Sequence, residues 1–161
     1  MNCELNGMKI KYEDGKVWMW REMWRKHKLK VPKWYEMKGT ILFNGYRNVT
    51  INTKRYYYHR VVYFIHNQEW NIHNSSTDNS IDHIDRDRLN NSIENLRVVT
   101  NQQNAWNRDG KGYYHTSSGN YQAKLHADGK HKHLGTFKNP EDARQAYLEA
   151  KKIYHVMGDL K

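Results

Sequence analysis

The stretch that decides the reading runs Ile81-Asp82-His83-Ile84-Asp85, a polar turn, Asn90-Asn91-Ser92-Ile93-Glu94-Asn95-Leu96-Arg97-Val98-Val99, then Thr100-Asn101-Gln102-Gln103-Asn104-Ala105-Trp106-Asn107. Two short apolar runs bracket a loop of Asp, Asn and Ser, so they read as the strands of a hairpin. Thr100 with Gln103 three residues later is a capping-box signature, which starts a helix there. The order is strand, loop, strand, helix, with an acid–His pair on the first strand and Asn residues near the helix start. Asn104 falls about one turn into that helix, from where its side chain can turn back toward the hairpin. Adjacent residues of a regular strand face opposite ways, so Asp82 and His83 share a site only if the backbone is irregular or the site is approached from the strand end.

These residue types suit phosphodiester hydrolysis, which needs a base for water, a cation against developing charge and a held leaving oxygen. A carboxylate and an amide oxygen are hard ligands of the kind Mg²⁺ takes. An imidazole beside them can accept the proton of water near neutral pH. Each residue also has a plainer reading. A lone His is commonly a satisfied structural one, Asn95 can simply hold a turn, and Asn90 and Asn91 read as turn residues.

Charge points the same way. Lys and Arg number 27 against 17 Asp and Glu, a formal net charge of +10 over 161 residues. Residues 1–70 carry net +8, residues 71–109 net −2 and residues 110–161 net +4. Two basic flanks around a slightly acidic centre fit a polyanion binder whose middle uses carboxylates for another purpose. The single Cys excludes a disulfide framework and a thiolate zinc cage. No apolar stretch approaches the roughly 18 residues that span a bilayer, and the opening residues lack the pattern of a signal peptide. The expectation is an intracellular protein, cytoplasmic or in the nucleus of a eukaryotic host, without membrane association. The six Trp and twelve Tyr predict small cores built around aromatic rings.

Upstream, Lys9–Tyr12 and Val17–Trp20 around Asp14-Gly15 predict a hairpin, and Val49–Ile51 and Tyr56–Tyr58 around Asn52-Thr53-Lys54 predict another. The basic run Trp24–Lys30 is either a solvated surface or a phosphate-tracking arm. His59–His66 reads as a short helix and Asn71–Ser80 as a loop. His59 and Arg60 either contact phosphate or pack that helix, and Arg97 and Arg108 are candidates for phosphate or solvated surface.

Residues about 46–108 resemble the HNH homing endonucleases of phages, viruses and mobile introns. The resemblance rests on His59-Arg60-Val61-Val62, Ile81–Asp85, Asn90-Asn91, Asn95–Thr100, Gln103-Asn104 and Asn107. It implies a ββα-metal motif with His83 as general base, Asp82 as metal ligand and Asn95 bracing the loop and orienting the base. The last motif position, His in many members, is Asn104 here. The chain is thus similar to HNN variants, with a weaker ligand, and Asn107 is a substitute candidate. The implied cofactor is Mg²⁺ or another divalent cation such as Mn²⁺.

Farther on, Tyr113–His115, Tyr121–His126 and His131–Phe137, separated by Gly turns, predict a three-stranded antiparallel sheet. Asn139, Pro140, Glu141 and Asp142 open a helix whose apolar stripe is Ala143, Ala146, Tyr147, Ala150, Ile153 and Tyr154, with Gly158 as its stop. Period-two alternation leaves Gln122, Lys124 and His126 on the uncovered face, a shape and charge able to enter a major groove. Residues about 111–157 resemble the ethylene-response-factor (Apetala-type) DNA-binding domain, through Gly112-Tyr113, Tyr121–Leu125, Leu134–Phe137 and Glu141–Tyr147. That resemblance implies DNA contacts from Tyr114, Thr116, Asn120, Gln122, Lys124, His126, His131 and His133. The Arg and Trp of the plant family are largely replaced here, so its sequence preference does not carry over. His131 and His133 lie on one strand face and could instead hold a metal.

The expected fold is α+β. A ββα-metal nuclease core is preceded by antiparallel hairpins within residues 1–109, and a small three-stranded sheet packed on one helix forms residues 110–161. The expected function is metal-dependent cleavage of double-stranded DNA, by nicking or double-strand breakage. The alternatives are a catalytically silent DNA-binding regulator and an RNA-cleaving enzyme.

Overall fold

Three two-residue turns whose central residues both have positive φ set the register of the first half of the chain. They are Asn6-Gly7 (52°, 75°), Asp14-Gly15 (51°, 73°) and Asn52-Thr53 (43°, 70°), the backbone that matches the right-handed twist of a hairpin. The computed structural model describes residues 1–22, 24–25, 28–29, 31–127 and 129–155, and for residues 24, 25, 28 and 29 the backbone alone. The chain divides into two compact units, Met1–Asn101 and Gln102–Lys161.

In the first unit, β1 (Asn2–Leu5), β2 (Met8–Glu13) and β3 (Lys16–Arg21) form a meander, and β6 (Lys33–Glu36) pairs with β3. Between them, β4 (Trp24–Arg25) and β5 (Lys28–Leu29) pair antiparallel. The side chains of the basic run Trp24–Lys30 lie outside the described residues. β7 (Thr40–Ile41), β8 (Arg47–Ile51) and β9 (Lys54–Tyr57) form a second sheet. The two sheets are tied at their turns: Asn6 donates to the carbonyls of Ile51 and Asn52, and Asn52 donates back to that of Asn6.

α1 (Tyr58–His66) places Tyr58, His59, Val61, Val62 and Ile65 inward. The Tyr58 hydroxyl accepts from the buried Val17 amide at 2.8 Å, which joins helix to first sheet. The deepest side chains are Ile10, Val17, Met19, Ile51, Val61, Val62 and Ile65. This corrects the expectation of cores built around aromatic rings. The first unit's interior is mainly aliphatic, with Tyr58 the one tyrosine buried in it among the described residues. Tyr12, Tyr56, Tyr63, Phe64 and Trp70 pack against its rim, only partly buried. In the second unit Tyr147 packs against Leu125, Ala127 and Ala150.

A loop from 67 to 79 leads to β10 (Ser80–His83), which pairs antiparallel with β11 (Leu96–Val99) across a polar loop and a 3₁₀ turn at Ile93–Asn95. α2 (Asn101–Trp106) begins directly after Thr100. In the second unit, β12 (Tyr113–His115), β13 (Tyr121–Ala127) and β14 (Lys130–Phe137) form one antiparallel sheet. A bulge lies at Ala123/Lys124, opposite Gly135 with φ 140°. α3 (Pro140–Tyr154) is capped as expected, Asn139 accepting from the Asp142 amide at 2.8 Å. Ala143 and Ala150 are buried against the sheet, but Ile153 is 66 % exposed, so the apolar stripe ends a turn earlier than its sequence suggests. Asp128 of the Asp-Gly turn and Gly158 lie outside the described residues. The whole is α+β, small antiparallel sheets with few helices.

Gly112 approaches the second unit's core most closely. Its φ is +76°, and a Cβ there would fall inside the Tyr147 ring. Gly119 has a similar φ of +80° with nothing within 4 Å. Gly112→Ala should therefore cost about 2–4 kcal/mol, while Gly119→Ala should cost only about 1 kcal/mol of backbone strain. Urea unfolding followed by near-ultraviolet circular dichroism checks the difference.

Candidate active site

Two residues side by side on β10 take opposite directions. Asp82 pairs directly across the hairpin with Arg97. Its Oδ2 accepts from Arg97 Nε at 3.0 Å and Nη2 at 2.8 Å. Asp82 is 5 % exposed, and a carboxylate so buried requires a partner of this kind. His83, 3 % exposed, closes the strand and joins a group of rings. His59 meets it edge-on at 5.0 Å between centroids, and Tyr46 lies 5.9 Å away. Tyr57 stacks on His59 at 5.5 Å.

The loop after His83 is built by asparagines. Asn95 Oδ1 accepts from the Asp85 amide at 3.0 Å, and its Nδ2 donates to Asp85 Oδ1 and to the Asn90 carbonyl, each at 2.8 Å. Asn90 donates to the other Asp85 oxygen at 2.6 Å. The two amides hold the Asp85 carboxyl below its ordinary pKa. Asn91, 8 % exposed, reaches His83: its Oδ1 stands 3.1 Å from Nε2, while its Nδ2 donates to the Leu89 carbonyl at 2.9 Å. A carbonyl can only accept, so the Leu89 bond fixes which end of the amide faces the imidazole. Oδ1 then requires a proton on His83 Nε2, which leaves Nδ1 as the basic nitrogen.

Asn91 is the residue sequence reading passed over, as one of two turn asparagines. Its burial is what separates it from the exposed Asn90. Tyr57 likewise reads in the sequence only as a strand residue, and nothing local marks Tyr46. His59 is 6 % exposed, and burial together with the nearby His83 and Arg60 pushes its pKa down to about 3. Arg60 donates to the carbonyls of Ile72, Asn74 and Asn79 at 2.9–3.0 Å and stacks on Trp70 at 4.6 Å. Both polar groups are thus turned inward, which is the packing alternative of the sequence reading.

Asn104 lies half-buried on α2 in the second unit, and Arg108 is exposed. There, Tyr114, Lys124, His126, His131 and His133 are exposed on one sheet face with the half-buried Gln122, which pairs with Tyr114. Lys124 lies over Tyr114 at 4.8 Å, and His126 opposes His131 with centroids 5.0 Å apart. Thr116 and Asn120 instead close the β12–β13 turn on each other, Asn120 donating its amide to Thr116 Oγ1 at 3.1 Å. Among the described residues no three His, Cys, Asp or Glu side chains are grouped to hold a metal. A carboxylate such as Asp82 and an amide oxygen such as that of Asn104 are each, by type, donors that Mg²⁺ takes.

Residues 56–106 match the family model of the HNH endonucleases. That span contains Asp82, His83, Asn91, Asn95 and Asn104, and it leaves the three-stranded sheet of the second unit outside. Over 79 residues the chain is 35 % identical to an uncharacterized HNH endonuclease of Acanthamoeba polyphaga mimivirus, a stretch covering 46 % of this chain and 42 % of that protein. The chain therefore spans less than half the length of this viral relative. No solved structure matches.

The depressed pKa of His59 has a sign that can be read in stability. Between pH 6.5 and about 3 the unfolded chain takes up a proton that the folded chain refuses, so acidification through that window destabilises the fold. His59→Phe keeps a ring in the stack and removes the titration. The stability lost between pH 7 and pH 4.5, measured by urea titration, should be smaller for His59→Phe than for the parent.

Proposed function

We propose that the chain is a metal-dependent HNH-type endonuclease that cleaves double-stranded DNA, as a homing-type nicking or cutting enzyme built on a ββα-metal core. The observation that supports it most is the hydrogen bond from His83 Nε2 to an Asn91 amide whose orientation is fixed from behind. A buried imidazole with a defined tautomer is what a general base requires. In this reading His83 Nδ1 takes a proton from water, whose oxygen attacks the scissile phosphorus as the bond to the 3′ oxygen breaks. Asn95 keeps the loop carrying Asp85 and Asn90 in one shape, and Asn91 holds the base. Asp82 and Asn104 would hold Mg²⁺ or Mn²⁺, which supplies Lewis-acid stabilisation of charge on the phosphate oxygens. Excess basic charge supplies salt-dependent affinity. The outer face of β12–β14, with Tyr114, Gln122, Lys124, His126, His131 and His133, is read as a duplex-contacting ribbon of the ethylene-response-factor kind.

A regulator that binds DNA without cutting it is the rival, favoured by one observation: Arg97 occupies Asp82 Oδ2 at 2.8–3.0 Å. Supercoiled plasmid with Mg²⁺ separates the two. The parent should yield relaxed or linear product that chelator abolishes, and His83→Ala should lower the rate by about 10²–10⁴-fold. No product from the parent, or equal cleavage by His83→Ala, rejects the enzyme. Competition by structured RNA tests the third possibility. Asn91→Leu should reduce kcat about tenfold or more and shift its pH profile while leaving KM nearly unchanged, because it touches the base and not the substrate.

A further inference from the structure

Phe43 is fully exposed, at the tip of the turn that joins β7 to β8, whereas the other two phenylalanines, Phe64 and Phe137, are half-buried. A ring left wholly in water on a loose loop would need no explanation, but this turn is tied down. Leu42 donates to the Tyr46 carbonyl at 2.8 Å, Gly45 to that of Leu42 at 2.9 Å, and Tyr46 to Asn44 Oδ1 at 3.2 Å. Gly45 supplies the positive φ of 80° that the reversal needs. The turn is also anchored to the loop that follows His83: Arg88 Nη1 donates to the Asn44 carbonyl at 2.7 Å, and its guanidinium lies 5.0 Å over the Tyr46 ring. Tyr46 in turn packs 5.9 Å from His83. Phe43 is therefore held out on a braced turn whose Tyr46 packs against His83 and whose Asn44 is bonded by Arg88. Ile41, which ends β7, is 56 % exposed, and Ile84 and Leu89 of the loop after His83 are 45 % and 42 % exposed.

We propose that Phe43 is an intercalating wedge: its ring enters a base step of duplex DNA and opens the step next to the phosphate attacked by the water that His83 deprotonates. The inference rests on DNA being the substrate. Apolar side chains that kink DNA work in this way, unstacking a step so that the bent duplex meets more protein surface. Here the guanidinium of Arg88 is the nearby partner for phosphate, and Phe43 supplies the apolar face for the bases.

The test uses full-length His83→Ala protein, so that the DNA stays intact, on relaxed closed-circular plasmid with a metal-independent topoisomerase. Intercalation unwinds the duplex, and after deproteinisation the linking number should be lowered in proportion to protein bound. Adding Phe43→Ala should weaken binding by about tenfold and remove most of the unwinding per bound protein, while adding Phe43→Leu should keep most of it. Phe43 touches no core residue, and unchanged thermal melting of both double variants confirms that the fold is intact. The wedge is rejected if His83→Ala fails to bind plasmid, binds without changing the linking number, or unwinds equally well with Phe43→Ala. It is also rejected if Phe43→Ala alters only self-association in sedimentation. Unwinding without nicking by the parent would sink the endonuclease reading and leave the wedge standing; nicking without unwinding would do the reverse.

Discussion

One hydrogen bond constrains the rest of the site, the bond between Asn91 and His83. A buried imidazole must have its proton placed by something, since an unmatched polar atom in a dry interior costs several kcal/mol. Asn91 can place it only because Leu89 offers a carbonyl to the other end of the amide. That in turn requires the loop from Ile84 to Ser92 to hold a single conformation. Asn95 enforces it from behind, bonding Asp85 and Asn90 at once, while the Ile84 amide donates to the Asn95 carbonyl. The loop looks like a surface connection by composition, yet its buried side is a chain of asparagines that ends on the histidine.

The charges around His83 follow from the same burial. His59 stays neutral beside it, because burial and the nearby His83 and Arg60 hold its pKa down to about 3. Asp82 is buried on the other side of the strand and balanced by Arg97, the residue opposite it in register. Regular alternation on β10 thus separates an aspartate with its own counter-ion from a histidine with its own orienting amide. Asp82 would have to trade some of that pairing for a metal, and this competition makes the hydrolase and the silent binder rival accounts of the same atoms.

Much of the scaffold was legible because turns carry strong local chemistry. Asp14-Gly15 and Asn52-Thr53 announce their hairpins, Thr100 announces α2, and Asn139 with Pro140 announces α3. The Asn6-Gly7 turn carries the same signal, but the four residues of β1 are too few to declare a strand by alternation. What could not be read was which side chains would be buried. Nothing local distinguishes Asn90 from Asn91, and only the packed loop turns one out and the other in. Likewise His59 and Arg60 look like surface cations at the start of a helix until the fold points them at rings and loop carbonyls. Two-residue strands such as β7 leave no periodicity to find, so the turn carrying Phe43 went unnoticed.

The aromatic residues show how composition and function meet. A chain poor in aliphatic residues was expected to bury its rings, yet Ile, Val and Met fill the deepest positions and, Tyr58 apart, the tyrosines and tryptophans of the first unit lie nearer the surface. Half-buried, they do two things that aliphatic side chains cannot. Tyr46, Tyr57 and His59 wall in an imidazole with polarisable faces, and Trp70 and Tyr46 give flat seats to the guanidiniums of Arg60 and Arg88. Those seats fix arginines that would otherwise wander on long side chains, at little cost in ordering the rigid ring beneath. Rings placed at the rim of a small aliphatic core therefore build the site's walls and hold its cations.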